Sequence, residues 1–372
     1  MWKTSEGSTG RLIQLCIGYF AFYVVTGISA KLFTARDAAV SLGLGQINYM
    51  IYNTVGGMLT ALIIVMAKRW YLLKSNRLFS WGRLSLPYEV SYIIPSGLMT
   101  AVIIPTTTLM YTFEGMSVMV AMVIMRASVI VISRVVDAVQ IARRILHKKV
   151  YKEENFAVVL ALLAAGINLF WVQAGDFDFL HNPAAVIILT SYVIAYAIRI
   201  YIMNYFKNTR ARGVPLDNCG FFGIEQIAAF VFALSLGVLF FNAPQWLGWN
   251  AAQVFQFHDS IATLDPMWGW AVISGTAFGA VAFFSVFLFM FKGRTATFAG
   301  LVNRLTSLTA GTAATLISAI VLGTKFPKIQ DWISLAFILI AVGFLTVAEK
   351  KRTQELRAER AIEESVGGTG KV

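Results

Sequence analysis

Residues 96–128, "SGLMTAVIIPTTTLMYTFEGMSVMVAMVIMRAS", decide the fold because a counterpart occurs later in the chain. Residues 274–306 read "SGTAFGAVAFFSVFLFMFKGRTATFAGLVNRLT" and align with them without a gap, at an offset of 178 residues. The residues in register include three identical pairs: Gly97 with Gly275, Gly115 with Gly293, and Arg126 with Arg304. Small residues coincide easily in membrane helices, whereas two arginines in register inside apolar segments are rare. We interpret the match as an internal duplication.

The composition is that of a membrane protein. The 372 residues are 58% hydrophobic and 13% charged, with a mean hydropathy of +0.69, whereas soluble domains carry roughly 25% charged residues. Ten apolar runs are long enough to cross a bilayer: 12–33, 47–67, 90–112, 116–140, 156–174, 184–206, 220–241, 267–290, 296–321 and 331–348. The sequence therefore predicts an all-α integral membrane protein with ten transmembrane helices.

The duplication divides these helices into two sets of five. The repeat halves are approximately 12–174 and 184–348, and an odd helix number inserts the second half upside down. By segment, we predict an N-terminus (1–11), helices 1–4 with the following basic loop (12–150), helices 5–10 (151–348) and a charged tail (349–372).

Basic residues are distributed unevenly between the predicted loops. Of the 31 Lys and Arg residues, 23 lie in segments on one predicted side and four on the other. The positive-inside rule then places both termini in the cytoplasm. The expected partners of this +12 charge are anionic lipids on the cytoplasmic face, not nucleic acid. We expect a bacterial inner membrane, with a eukaryotic endomembrane as the alternative.

Two charged segments outside the spans are also predicted to be helical. The basic aromatic segment at 68–83 is typical of an interfacial helix. The segment after residue 348 mixes charges of both signs at helical spacing, which favours a solvated helix.

Arg126 and Arg304 each lie 11 residues from the turn glycine of their repeat. At 1.5 Å per residue this is about 16 Å, the middle of a ~30 Å hydrocarbon core. A charge there costs at least ~2.5–3.5 kcal/mol on insertion scales. Because a guanidinium matches carboxylate or phosphate geometry, we predict that both arginines bind a small anionic or amphipathic substrate. The alternative is a structural role in holding helices together.

Neighbouring polar and aromatic residues complete the predicted substrate site. They are Asn303, Ser128, Thr306, Ser307, Tyr192, Tyr196, Tyr19 and Tyr23. For the hydroxyl residues the alternative is a bond to their own helix carbonyls, and for the tyrosines it is packing between helices.

Four further charged residues are candidates for gating or coupling. Arg134 and Asp137 are three residues apart, so they are expected to pair on one helix face. Arg199 continues the stripe of Tyr192 and Tyr196. Glu225 is a candidate proton carrier, with an interfacial, solvated carboxylate as the alternative.

Two stretches resemble a known family. "MRASVIVIS" (125–133) resembles the helix-4 signature of nucleotide-sugar-transporter relatives, and residues 311–347 resemble the final hairpin of EamA-like proteins. Together with the five-plus-five repeat, they resemble the drug/metabolite transporter superfamily. The usual Gly-Glu before helix 10 is here Gly323-Thr324, and the usual glycine opening that helix is Ile333. The resemblance implies that helices 1, 3, 4, 6, 8 and 9 line a cavity. Helices 5 and 10 would be peripheral, where they could form a homodimer interface.

The sequence favours a secondary transporter rather than an enzyme. Its three histidines fall in predicted loops, and it contains no phosphate-binding or zinc-hydrolase motif, so we expect no catalytic residue, metal or cofactor. Transport would be driven by a gradient or by exchange. Two alternatives stay open: a flippase for a lipid or lipid-linked precursor, and a non-transporting membrane receptor or scaffold.

Overall fold

The computed structural model describes residues 7–35, 40–75, 77–81, 84–109, 118–171, 181–210 and 214–368. Its elements are α1 (Thr9–Thr34), α2 (Gln46–Ala67), β1 (Leu78–Trp81), β2 (Leu84–Pro87), α3 (Val90–Leu109), α4 (Val118–Ala142), α5 (Lys152–Gly166), α6 (Pro183–Asn208), α7 (Asn218–Leu247), α8 (Ala252–Ala262), α9 (Trp268–Phe289), α10 (Ala296–Leu322) and α11 (Ile329–Gly368). Eight of these helices, all but α4, α5 and α8, are long and apolar enough to cross a membrane. The chain is therefore an all-α integral membrane protein with one small hairpin.

Over the described residues each predicted span coincides with an observed helix, whereas residues 110–112, 116–117 and 172–174 of the predicted spans lie outside the described residues. Two of these helices differ from the other eight. α4 carries three charged residues, Arg126, Arg134 and Asp137. α5 has only 15 residues and continues as a 3-10 helix over Ile167–Trp171. Both features weaken the apolar signal by which a span is recognised.

The prediction of an interfacial helix at 68–83 is wrong. α2 ends at Ala67, and Arg69 adopts a left-handed backbone with φ of 53°. β1 and β2 then form an antiparallel hairpin that pairs Leu78 with Pro87. A residue with positive φ ends a helix, and the alternating apolar residues that follow suit a strand.

The charged tail differs from the prediction in its packing. It is helical, but it continues α11 directly, and one face of its first turns is buried. Glu349 and Arg352 are only 6% and 2% exposed. α8 has no predicted counterpart, because its 11 residues are too few to cross a bilayer.

Helix ends follow local chemistry. The side chains of Ser8, Asn182 and Thr295 accept hydrogen bonds from the first backbone N–H groups of α1, α6 and α10, as N-cap residues do. Gly248 and Gly323 end α7 and α10 with φ of 64° and 66°. A left-handed residue at this position is least strained when it is glycine.

The paired glycines of the duplication mark two close helix crossings. A Cβ on Gly275 of α9 would lie 2.7 Å from the Gly57 nitrogen of α2. A Cβ on Gly97 of α3 would lie 2.7 Å from the Glu225 carbonyl oxygen of α7. In both cases the backbones approach too closely for a side chain, which is how small residues act between membrane helices.

The remaining helices pack in matching pairs. α1 lies against α9 and α10, α6 lies against α3 and α4, α4 crosses α10, and α5 packs along α11.

A network of buried charges joins the helix ends on the side where α1 and α10 begin. Arg294 donates to Glu349 at 2.9 Å and to the Gly7 carbonyl at 3.1 Å. Thr295 donates to Glu154 at 2.7 Å, and Arg352 lies 3.6 Å from the same carboxylate. Since α5, α10 and α11 meet in these contacts, the network closes this end of the bundle.

Candidate functional site

A cavity of about 480 Å³ lies between α1, α2, α3, α6, α7, α9 and α10. Along α1 it extends from Tyr19 to Thr34, a rise of about 22 Å. Its upper wall reaches Gln46 and Thr107, close to the start of α2 and the end of α3. Its floor is polar and lies toward the charge network. The volume is in the range of small-molecule sites, ~300–1,000 Å³.

Arg304 is the most unusual residue of the floor. Its Nε and Nη2 atoms are buried and have no hydrogen-bond partner among the described residues. The guanidinium carbon lies 5.1 Å from the ring centroid of Tyr196, and the Tyr196 hydroxyl also interacts with the guanidinium. A cation–π contact stabilises the charge without using the N–H donors. Two donors therefore remain for a ligand.

Four tyrosines surround this guanidinium. Tyr19, Tyr23, Tyr192 and Tyr196 all line the cavity near Arg304. The rings of Tyr192 and Tyr196 have centroids 4.8 Å apart, and those of Tyr19 and Tyr23 are 5.6 Å apart. Each pair is spaced i, i+4 on the first helix of its half. This repeated tyrosine pair is a further signal in the sequence, and it lies outside the two 33-residue segments that align at an offset of 178 residues.

Arg199 and Glu225 form a buried ion pair beside Arg304. Arg199 donates to both carboxylate oxygens of Glu225, at 2.9 and 3.0 Å. Ser96 and Thr100 donate to the same carboxylate at 2.6 and 3.3 Å. Because both charges are paired and the carboxylate accepts further bonds, this site is electrically neutral and well satisfied.

The cavity has a positive floor as a result. Its lining, among the described residues, contains Arg199 and Arg304 but no Asp or Glu side chain. Glu225 lies outside the lining and neutralises Arg199, so the positive charge of Arg304 has no carboxylate partner in the lining. Hydrogen-bonding groups complete the floor, including Asn303, whose Nδ2 donates to Ser285 at 3.0 Å.

The structure brings together six of the ten predicted substrate-binding residues: Arg304, Asn303 and the four tyrosines. The other four, Arg126, Ser128, Thr306 and Ser307, are not part of the cavity lining. Ser128 donates to the Met125 carbonyl, and Ser307 donates to the Arg304 carbonyl. These two hydroxyls therefore follow the alternative of bonding to their own helix.

Arg126 and Arg304 do not share one site in this conformation. Arg126 projects from α4 toward α10, where its Nη2 lies 3.8 Å from the position of a Cβ on Gly311. Gly311 is seven residues beyond Arg304, about 10 Å along α10. In this arrangement the two arginines could not bind one ligand together, so their joint binding stays a prediction.

Arg134 and Asp137 do not form the expected pair. Arg134 donates to Asn155 at 3.0 Å. Asp137 accepts from the backbone nitrogens of Ala296 and Thr297, at 2.8 and 2.7 Å. Those N–H groups have no partner within α10, and the positive end of a helix dipole attracts a carboxylate. Asp137 therefore ties α4 to the start of α10.

Several cavity residues were not singled out from the sequence. Asn53 of α2 donates to Tyr49 at 3.1 Å and to Ser274 at 3.0 Å. Gln226 of α7, the residue after Glu225, also lines the floor. α2 and α7 thus contribute to the lining, although the resemblance assigns it to other helices. Described residues of α4, α5 and α11 do not contribute to the lining. The resemblance implies this for α5 and α11, which are predicted helices 5 and 10, but it assigns α4 to the cavity wall.

We predict that the Arg199–Glu225 pair stabilises the fold only as a pair. Arg199→Ala leaves a buried, uncompensated carboxylate and is expected to destabilise the protein by ~3–5 kcal/mol. The double variant Arg199→Met/Glu225→Leu removes both charges and should be less destabilised than Arg199→Ala. Unfolding midpoints in detergent provide the measurement. Equal or greater destabilisation of the double variant would contradict a compensating pair.

The comparisons with known proteins bear on the fold alone. No family model matches the sequence, and no curated protein matches it. One solved structure, described as "Crystal structure of protein", aligns with a TM-score of 0.53 at 11% identity, over 92% of this chain and 99% of that chain. At this identity the match indicates a shared fold, spanning essentially the whole of both chains.

Proposed function

We propose that this protein is a secondary transporter that moves a small anionic or amphipathic metabolite by alternating access. The observation that carries the proposal is the pair of unused buried donors on Arg304, on the floor of a 480 Å³ cavity. A charge kept at this depth without a carboxylate partner is costly. An anionic ligand supplies the missing partner.

An inverted five-plus-five repeat is part of the proposal. If α8 is set aside, exchanging each helix of one half with its counterpart in the other maps the most extensive helix contacts onto one another. The contact of α2 with α9 becomes that of α7 with α3, and α1 with α9 becomes α6 with α3. The contact of α5 with α11 maps onto itself. This symmetry supports ten crossings, with α4 and α5 as the two less apolar ones.

The same symmetry supports membership of the drug/metabolite transporter superfamily. The positions of α5 and α11, away from the cavity, match what the resemblance implies, and they leave this pair available for a homodimer. From the uneven distribution of basic residues, we propose that the termini lie in the cytoplasm of a bacterial cell, with anionic lipids against the basic segments. Transport is then driven by a gradient or by exchange, without catalysis by the chain.

The arrangement argues against a receptor or scaffold. In a scaffold, each intramembrane arginine would be held by an acid and no cavity would reach the middle of the bundle. Arg199 meets the first condition, but Arg304 does not, and the cavity ends at its guanidinium. A flippase stays the second candidate, because an apolar space adjoins the cavity.

One test of the proposed function measures transport by Arg304 variants. Counterflow in proteoliposomes should be screened with inorganic phosphate, a sugar phosphate, a nucleotide sugar and an amino acid. For the transported anion, Arg304→Gln should lower the rate about 10- to 100-fold, since hydrogen bonds to a charged group contribute ~1.5–3 kcal/mol. Arg304→Lys should be intermediate because it keeps the charge but loses the planar fork.

Arg143→Gln is the matched control. Arg143 lies at the end of α4, is exposed and bonds the Tyr201 hydroxyl at 3.3 Å, so transport should be unchanged. Normal transport by folded Arg304→Gln would contradict the proposal.

A second test concerns topology. In a background without Cys16 and Cys219, cysteines at Val40 and Asn250, both exposed, should react with an impermeant maleimide from outside. Cysteines at the exposed Arg77 and Gln354 should react only after permeabilisation. Each half contributes one position to each side, so labelling of Val40 and Asn250 from opposite sides would rule out the inverted repeat.

A further inference from the structure

A second, apolar space adjoins the cavity. It has a volume of about 430 Å³ and lies between α2, α3, α7 and α8; we call it the groove. Four residues line both spaces: Met50, Thr54, Met58 and Ile104. Since three of them are four residues apart on α2, the boundary is a stripe about 12 Å long. The cavity and the groove are therefore adjacent over about two helical turns, with these four side chains between them.

The chemistry of the groove is opposite to that of the cavity. Its walls are aliphatic and aromatic, with Phe230, Phe240 and Phe257 on α7 and α8. The amide nitrogen of Asn242 is used within α7, where it donates to the Val238 carbonyl at 2.8 Å. No charged side chain lines the groove among the described residues. It is suited to hydrocarbon and not to a polar metabolite.

The groove also reaches the outside of the bundle. Leu234 and Val238 line it and are 58% and 48% exposed. They lie in the middle of α7, a candidate membrane span, so their surroundings are hydrocarbon. A chain in the groove thus contacts the bilayer on one side and, on the other, the four side chains that also line the cavity.

We propose that the groove holds the hydrocarbon chain of an amphiphile whose anionic head binds Arg304. The proposal rests on the proposed function and narrows its substrate class to an anion with one hydrocarbon chain. A polar cavity alone would expose such a chain to water, which is unfavourable in proportion to its area. The adjacent groove removes that exposure once the flexible side chains of Met50 and Met58, which line both spaces, move aside for the chain.

The test uses decyl phosphate with a photoreactive diazirine at the end of the chain, bound to the protein in phosphatidylcholine nanodiscs. After irradiation, adducts are mapped by mass spectrometry. We expect adducts on groove residues of α2, α3 and α7. Excess ethyl phosphate, or the variant Arg304→Gln, should lower them about tenfold, because either one removes the head from its site.

A second part of the test uses variants in which a large side chain fills the groove. A Cβ on Gly237 would have its nearest neighbour, a Phe257 ring carbon, at 4.0 Å, so Gly237→Trp can enter the groove and should lower groove adducts about tenfold. Ala233→Phe, also in the lining, serves if that variant does not fold. Val231→Trp is the control, because Val231 is 53% exposed on the same helix and outside the groove.

The outcomes separate the two proposals. Groove adducts that persist in Arg304→Gln and resist ethyl phosphate would show occupancy by bulk lipid only and would overturn the inference. Adducts outside the groove, together with Arg304-dependent binding of radiolabelled ethyl phosphate, would overturn the inference and leave the proposed function standing. Failure of ethyl phosphate and of every screened anion to bind in an Arg304-dependent way would count against the proposed function itself.

Discussion

A guanidinium inside a membrane must find a partner, and this constraint organises the centre of the molecule. Arg199 satisfies it with Glu225, through two hydrogen bonds of 2.9 and 3.0 Å. Arg304 satisfies it only in part, through the ring and the hydroxyl of Tyr196. Two arginines on one cavity floor are thus treated differently. The paired one fixes α6 to α7, and the other keeps two donor nitrogens without a partner among the described residues, an arrangement that suits an anionic ligand.

The helices and their order could be predicted from the sequence because burial in lipid imposes a simple rule. Every backbone polar group must bond within its own helix, so a span is a long apolar run. The predicted duplication depends on a related constraint. Gly97 and Gly275 each occupy a close helix crossing where only a small residue fits, and they are in register in the predicted repeat. Arg304, Asn303 and the tyrosines could be selected because polar groups in spans are expensive.

What the sequence could not provide is the set of partners contributed by other helices. Arg134 and Asp137 have the right spacing for a pair, but an unsatisfied helix N-terminus competes successfully for the carboxylate. Arg126 matches Arg304 in the alignment, yet it faces Gly311 and not the cavity. At 68–83 a positive φ at Arg69 follows the end of α2, and residues 78–87 form a hairpin, which the charge pattern of that segment did not reveal. For Asp137 and Arg126, contacts with α10 override a local pattern.

The central claim is that the free donors of Arg304 form an anion site, and anomalous diffraction from crystals soaked in selenate tests it most directly. The account predicts a selenium peak on the cavity floor, with selenate oxygens ~2.7–2.9 Å from Nε and Nη2 of Arg304, and loss of that peak in Arg304→Gln. A carboxylate of the chain bonded to these two nitrogens, with selenate only on the protein surface, would contradict it.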